Sequence, residues 1–360
     1  FNLNSRFGPF EKLTLSLGVQ SEWTSENGVG SGILHRIPFT YVVPANLATN
    51  PASLFADRDE NINTEHIALR YAVLPSTTLF AEGRLQQQTL GRSDHELQPS
   101  GGNFIENVDE TRDTQDFRVG FNTSPWQNVM LSSHYRHMDD DSEFDNESTP
   151  QPVGTYPGFI SARRVLSDEF EAKLSLRPAR WLKTTLGYQY VRTDSWSETR
   201  VAISAPATTN TLGGSLLAGQ TDSHIFSAGL VLTPCRRFFL DATISYQQGS
   251  ATTVTNVVPY RGDVWSTFVN GTYVLDENTD VFAGYSFALA DYEQSRNQIS
   301  VPVGIRYTQH GAQLGIRHRL TPDVALQLQG GYYNYDEPTS GGANNYTACS
   351  LFGSIVLKLP

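Results

Sequence analysis

Two long alternating segments flanking a short turn form a unit that recurs along the whole chain. The turns read Gly8-Pro9, Leu74-Pro75, Ser124-Pro125, Arg177-Pro178, Thr233-Pro234, the proline-less Asp276-Glu277-Asn278, and Thr321-Pro322-Asp323. Each follows the last by roughly 45–65 residues, with much longer polar stretches between them. Short turns alternating with long loops on long strands predict an all-β, antiparallel up-and-down barrel that crosses a membrane.

The strands themselves read with period 2. Phe170, Ala172, Leu174 and Leu176 alternate with Glu171, Lys173, Ser175 and Arg177. Leu182, Thr184, Leu186, Tyr188 and Tyr190 alternate with Lys183, Thr185, Gly187 and Gln189. One face is apolar and the other polar, whereas a helix needs apolar spacings of 3 and 4. Fifteen such runs are expected, near 1–7, 10–24, 61–74, 77–92, 113–123, 126–139, 165–177, 180–194, 222–233, 236–250, 262–275, 279–294, 303–319, 323–336 and 344–359. The run with Val264, Trp265, Phe268 and Val269 is apolar on both faces, which leaves its orientation open. Bacterial barrels of this kind close with an even strand number, so about 16 is expected, with a further strand either before Phe1 or not evident among these runs.

Composition agrees with that fold without proving it. Mean hydropathy is −0.34, and no run of about 18 apolar residues is available for a transmembrane helix. A barrel strand needs only about 10 residues with every second one apolar. The net charge is −11, and acids crowd the stretches expected as loops: Asp57, Asp59 and Glu60; Glu106, Asp109, Glu110 and Asp113; and Asp139 to Glu147. Such acidity argues against nucleic acid as a partner, and none is expected. Cys235 lies in a short turn and Cys349 far up the last strand, so two free thiols are expected. With no CxxCH, the chain binds no haem covalently, and no cofactor is expected on the chain itself.

The whole chain, 1–360, reads as one transmembrane barrel domain in a bacterial outer membrane. Short turns are expected in the periplasm and long loops at the cell surface. Residues 25–60 are expected as one long extracellular or infolded loop. Its apolar residues, among them Ile33, Phe39, Tyr41 and Phe55, would pack on the barrel, cover its mouth or dock a partner.

The polar face carries the expected functional residues. Arg70, Glu82, Arg84, Arg118, Arg136, Glu171, Lys173, Arg177, Lys183, Asp241, Arg317 and Arg319 alternate with apolar residues. Lipid-facing Arg or Lys near midplane costs about 2–4 kcal/mol, so these are expected to line the lumen. Cationic rings favour anions, and Arg–Glu pairs set the local field. His134 and Arg136 share that face, but one strand supplies too few ligands for a metal, so none is expected. The run Asp139 to Asp145 lacks the spacing of an EF-hand loop and reads as a solvated surface, with weak calcium or cation-bridged lipopolysaccharide contact as the sharper reading. No GxSxG, HExxH, P-loop or dinucleotide-binding glycine pattern occurs, so no catalytic residue and no enzymatic activity are expected.

Taken together, the hairpin repeat, polar lumen and acidic loops resemble the outer-membrane porin class of Gram-negative bacteria. The resemblance implies a channel for small polar solutes or ions, embedded in outer-membrane lipid and lipopolysaccharide, with homo-oligomers as one arrangement. The end of the chain, Phe352 to Pro360, departs from the aromatic terminus of many such barrels. Segments such as Arg70 to Glu82 and Leu174 to Gln189 are also similar to barrels that sheathe multihaem cytochromes. That second resemblance implies a sleeve for an electron conduit, with haem brought only by the partner.

Overall fold

The computed structural model describes residues 1–35, 49–97, 104–149, 160–199, 202–203, 210–211, 214–252, 260–294 and 304–357. Seventeen strands occur among them: β1 (Asn2–Phe10), β2 (Leu13–His35), β3 (Thr49–Leu74), β4 (Thr77–Leu97), β5 (Phe104–Trp126), β6 (Val129–Thr149), β7 (Ile160–Ala179), β8 (Leu182–Thr199), β9 (Ala202–Ile203), β10 (Asn210–Thr211), β11 (Gly214–Cys235), β12 (Phe238–Thr252), β13 (Tyr260–Val274), β14 (Thr279–Gln294), β15 (Gly304–Thr321), β16 (Val324–Asp336) and β17 (Tyr346–Leu357). All but β9 and β10 form one antiparallel sheet of 15 strands in chain order. The short pair β9–β10 forms a separate ladder. Each of the fifteen expected runs falls on one of the fifteen strands, one fewer than the expected 16.

Side-chain burial shows what kind of sheet this is. Ala290 is the one buried hydrophobic residue among those described, while Leu69, Leu79, Phe117, Leu186, Phe226, Ile244, Leu314 and Leu328 are all exposed. Register places all eight on one face, through pairs such as Leu69↔Ala81, Phe117↔His137, Leu186↔Ala228 and Leu314↔Gly330. A soluble sheet would bury such a face, whereas lipid covers it in a membrane. On β8 the apolar positions run from Leu182 to Tyr190. At about 3.3 Å per residue and a tilt of about 40°, they span about 20 Å, near the roughly 25 Å apolar band of such barrels. Tyr135, Tyr188, Phe226, Tyr246, Trp265 and Tyr285 edge the band on its loop side; Tyr246 and Trp265 pack at 4.5 Å. No helix of the described residues is long and apolar enough to cross a membrane. For β13, register puts Trp265 and Val269 on the apolar face and Val264 and Phe268 on the polar one.

The turns sit two residues later than the prolines suggest in four hairpins: at 11–12, 127–128, 180–181 and 236–237. The register shifts between Phe7 and Phe10, Thr123 and Trp126, Leu176 and Ala179, and Leu232 and Cys235, which places Pro9, Pro125, Pro178 and Pro234 within these irregularities. Proline lacks a backbone donor, and a bulge is where a ladder spares one. The proline-less turn is built otherwise. The Asp276 carboxylate accepts from the Asn278 backbone N–H at 2.8 Å and the Thr279 hydroxyl at 3.0 Å. These bonds hold its carboxyl below the usual range, the Asn278 N–H contributing most.

Two expectations are corrected. Residues 25–35 and 49–60 are not loop but an extension of the β2–β3 hairpin, paired from Ser25↔Asp59 to His35↔Thr49; 36–48, with Phe39 and Tyr41, lie outside the described residues. The acidic stretches are strand too: Asp57 to Glu60 in β3, Glu106 to Asp113 in β5, and Asp139 to Glu147 in β6. Backbone pairing continues beyond the apolar band, where both faces meet water and the hydrophobic period disappears. Both cysteines are free and exposed.

Candidate functional site

Strand registry places eleven of the twelve expected residues on one face, the polar one, while Arg177 falls in the register irregularity between Leu176 and Ala179. The alignment runs Ala68↔Glu82↔Arg118↔Arg136↔Glu169 across β3 to β7, with Arg70 and Arg84 one step to either side. Further along, Glu171↔Gln189, Lys183↔Val231↔Asp241, and Arg317↔Gln327 keep the same face. The structure brings Arg70, Glu82, Arg84, Arg118, Arg136 and Glu171 into one patch. Lys173, Glu171 and Asp241 line an adjoining recess of about 300 Å³. Lys183 on β8 and Arg177 on β7 lie nearer the turn end, a few residues from the turn at 180–181. Arg317 and Arg319 stand apart on β15, where Arg317 donates to Gln327 at 3.3 Å.

The patch centres on a recess of about 580 Å³ lined by Glu82, Arg84, Asp116, Arg118, His134 and Arg136, with Glu169 and Glu171 beyond. Arg136 donates to Asp116 through Nε and Nη2, both at 2.8 Å, and approaches Glu169 at 3.8 Å. The two parallel bonds fix the guanidinium plane, as a lysine could not. Arg70 meets Glu82 at 3.4 Å. Arg84 donates to Gln86 at 2.6 Å, and Gln189 to Glu169 at 2.7 Å.

Arg118 is held differently. Its guanidinium lies 5.5 Å from the Phe80 ring centroid, and its Nη2 is 3.2 Å from His134 Nδ1. Its Nε is buried without a hydrogen-bond partner. Arg118 and Arg136 are direct cross-strand neighbours, a like-charge pair that costs free energy unless acids flank it. Asp116 and Glu169 supply those acids. Gly120 makes the arrangement fit: a Cβ there would overlap the Phe80 ring and His134.

His134, Glu169 and Glu171 offer ligand atoms within 4.8 Å of one another, as a metal site would. Arginine has only donors, so His134 Nδ1 accepts from Arg118 and a neutral ring carries its proton on Nε2. Nε2 lies 3.8 Å from a Glu171 oxygen and 4.0 Å from a Glu169 oxygen. Asp116 and Glu169 are missing from the sequence expectation. Each has an apolar neighbour on one side only, Phe117 for Asp116 and Phe170 for Glu169, whereas Glu171 sits between Phe170 and Ala172, so period 2 marked them more weakly.

No protein-family model and no curated protein sequence matches the chain. Solved structures do. The ferric citrate transporter FecA in its unliganded form matches with a TM-score of 0.54 and 12% identity, over 97% of this chain and 60% of that one. The ferric yersiniabactin uptake receptor FyuA of Yersinia pestis gives 0.53 and 10%, over 93% and 58%. The alcaligin outer-membrane receptor FauA of Bordetella pertussis gives 0.52 and 12%, over 100% and 62%. The chain thus spans about 60% of the length of these structures. At such identities the likeness is one of fold: the all-β, up-and-down architecture of outer-membrane barrels. With the exposed apolar band, it places the chain in the bacterial outer membrane.

The expectation that the chain is no enzyme is withdrawn. Its ground was the lack of a linear motif, yet registry assembles His134, Glu169 and Glu171 from two strands without one. The matches also include OmpT of Vibrio cholerae, at 11% identity and a TM-score of 0.36, too low to argue from.

Proposed function

We propose that the chain forms a water-filled passage for small polar solutes or ions across the outer membrane, its Arg-rich polar face lining the path. One observation supports this above others. Apart from Arg177, the expected charged residues keep to one face on eight of the eleven sheet strands from β3 to β15 (β9 and β10 lie outside that sheet), while the opposite face stays apolar and exposed. Charges kept from lipid so consistently belong on a wet surface. The half-paired Arg70, Arg84 and Arg118 give that surface sites for anionic groups, and Asp116, Glu169 and Glu171 tune the field around them. Lipid and lipopolysaccharide contact the apolar band in this reading.

The test is a planar bilayer recording on purified, haem-free protein. Stepwise single-channel current is expected, with anion preference that falls in Arg118→Ala. A sealed bilayer under the same conditions contradicts the proposal. A Soret band with a stoichiometric cytochrome subunit would make the chain the sleeve of an electron conduit instead.

A further inference from the structure

On the polar face, β12 to β17 differ from the charged patch. Their charged residues there are Asp241, Asp280, Arg317 and Arg319, all toward the turn end. Above them the face is neutral and built from aromatic rings, amides and glycines. Two of those rings lie down on the sheet. Tyr292 covers Gly262, and Tyr333 covers Gly311 and Gly331; a Cβ on Gly262 or Gly331 would overlap the ring. Each ring therefore rests one side on backbone and turns the other away from the sheet. Tyr260 adds a ring parallel to Tyr292 at 5.4 Å, and Tyr335 stacks between Tyr307 and Tyr346 at 5.4 Å from each. Beside the rings runs a line of amides. Gln329 donates to Gln313 at 2.8 Å, and Gln313 and Asn270 both lie over Gly284.

We infer that this wall binds neutral, hydroxyl-rich ring compounds, of which oligosaccharides are the general class. The negative face of an aromatic ring attracts the polarised C–H groups on the flat side of a sugar. Amide side chains carry two donors and an acceptor oxygen each, which suits hydroxyls that both donate and accept. A wall without charge at this level neither holds ions nor repels neutral solutes. Glycine under each ring keeps the platform low, so that a solute slides along it rather than meeting a bulky projection. The inference rests on the reading above that the polar face is wet, and it names a solute class for that face.

The probe is maltohexaose, titrated calorimetrically into the purified full chain in detergent, with citrate as a charged comparison. Saturable binding in the roughly millimolar range is expected for the sugar. Tyr292→Ala and Tyr333→Ala should each weaken it about fivefold, and Tyr333→Phe, which keeps the ring, should restore most of it. Ser227→Ala, on the same face of β11, should leave it unchanged. Absence of saturable binding, or equal binding by the folded Tyr292→Ala/Tyr333→Ala double variant, overturns the inference. Should an alanine variant fail to fold, the Tyr333→Phe titration and the wild-type isotherm still decide. Current without sugar binding would sink this inference alone; sugar binding without current would sink the channel and leave it standing.

Discussion

The strands β2 to β8 and the strands β12 to β17 share one apolar belt but differ in almost everything else. The first group runs 18–26 residues per strand, the second 12–18. Ion pairs gather in the first: Arg136 with Asp116, Arg112 with Asp140, Arg164 with Asp139, Arg70 with Glu82. The second holds Arg306–Asp291 on its outer side and carries tyrosine, glutamine and glycine on its polar face. Lipid imposes the same demand on every strand's outward residues, so that face is uniform. The polar face faces no such demand and is free to specialise strand by strand. The contrast divides the polar face into two walls of different chemistry, one ionic and one neutral.

The largest expected effect tests what the two halves have in common. Leu186→Arg on β8 and Leu314→Arg on β15 should each cost about 2–4 kcal/mol of folding stability in lipid vesicles, near the belt's midplane. Thr185→Arg and Gln313→Arg, their neighbours on the polar face, should cost under about 1 kcal/mol. Urea unfolding curves would show it, and equal losses at all four sites would mean that no shared belt exists.

Crowding separates the halves next. Gly331→Val drives a side chain into the Tyr333 ring and should cost about 1–3 kcal/mol, the usual range for overpacking. Its effect on single-channel anion preference should be negligible. Arg136→Ala should do the reverse. Its ion pair with Asp116 is partly exposed, so stability should fall only about 0.2–1 kcal/mol, while the reversal potential moves toward cation preference. If Arg136→Ala left selectivity unmoved, the ionic wall would be structural only.

The smallest effect is local and lies at the loop end of the neutral half. Between β16 and β17, Glu337 accepts from Asn344 at 3.0 Å, Tyr335 at 2.9 Å and Thr339 at 3.3 Å. These bonds, Asn344 first, hold its carboxyl below the usual range. A lowered carboxyl stabilises its loop above the unfolded-state pKa and loses that contribution as pH falls through the folded one. The protection of amides across 337–345, measured relative to their intrinsic exchange rates, should therefore fall on acidification below about pH 4, and Glu337→Gln should flatten the dependence. An unchanged pH response in that variant would assign the loop's order to Gly341 and Gly342, which take the left-handed conformation, instead.

Much of this fold was legible in the chain, because hairpin repeat and period 2 both follow directly from a lipid-facing strand. Leu182 to Tyr190 could be assigned to a face without any structure. Strand length could not, since Asp139 to Glu147 pair as well as any belt residue while showing no apolar period. The ionic wall was half legible. Arg118 and Arg136 announced a polar face, but their adjacency and the acids beside them depend on registry between strands. The ring-on-glycine platforms were not legible at all, because Tyr292 and Gly262 meet only across a hairpin whose register the intervening residues do not state.

Water on the polar face is the premise beneath both walls, and cysteine labelling along β6 tests it most directly. In a Cys235→Ser/Cys349→Ser background reconstituted in vesicles, single cysteines replace Ser132, Ser133, His134, Tyr135 and Arg136 in turn. A charged, membrane-impermeant thiol reagent should label positions 132, 134 and 136 and spare 133 and 135. Labelling in the opposite phase, or protection at all five, would contradict a wet polar face and the passage built on it.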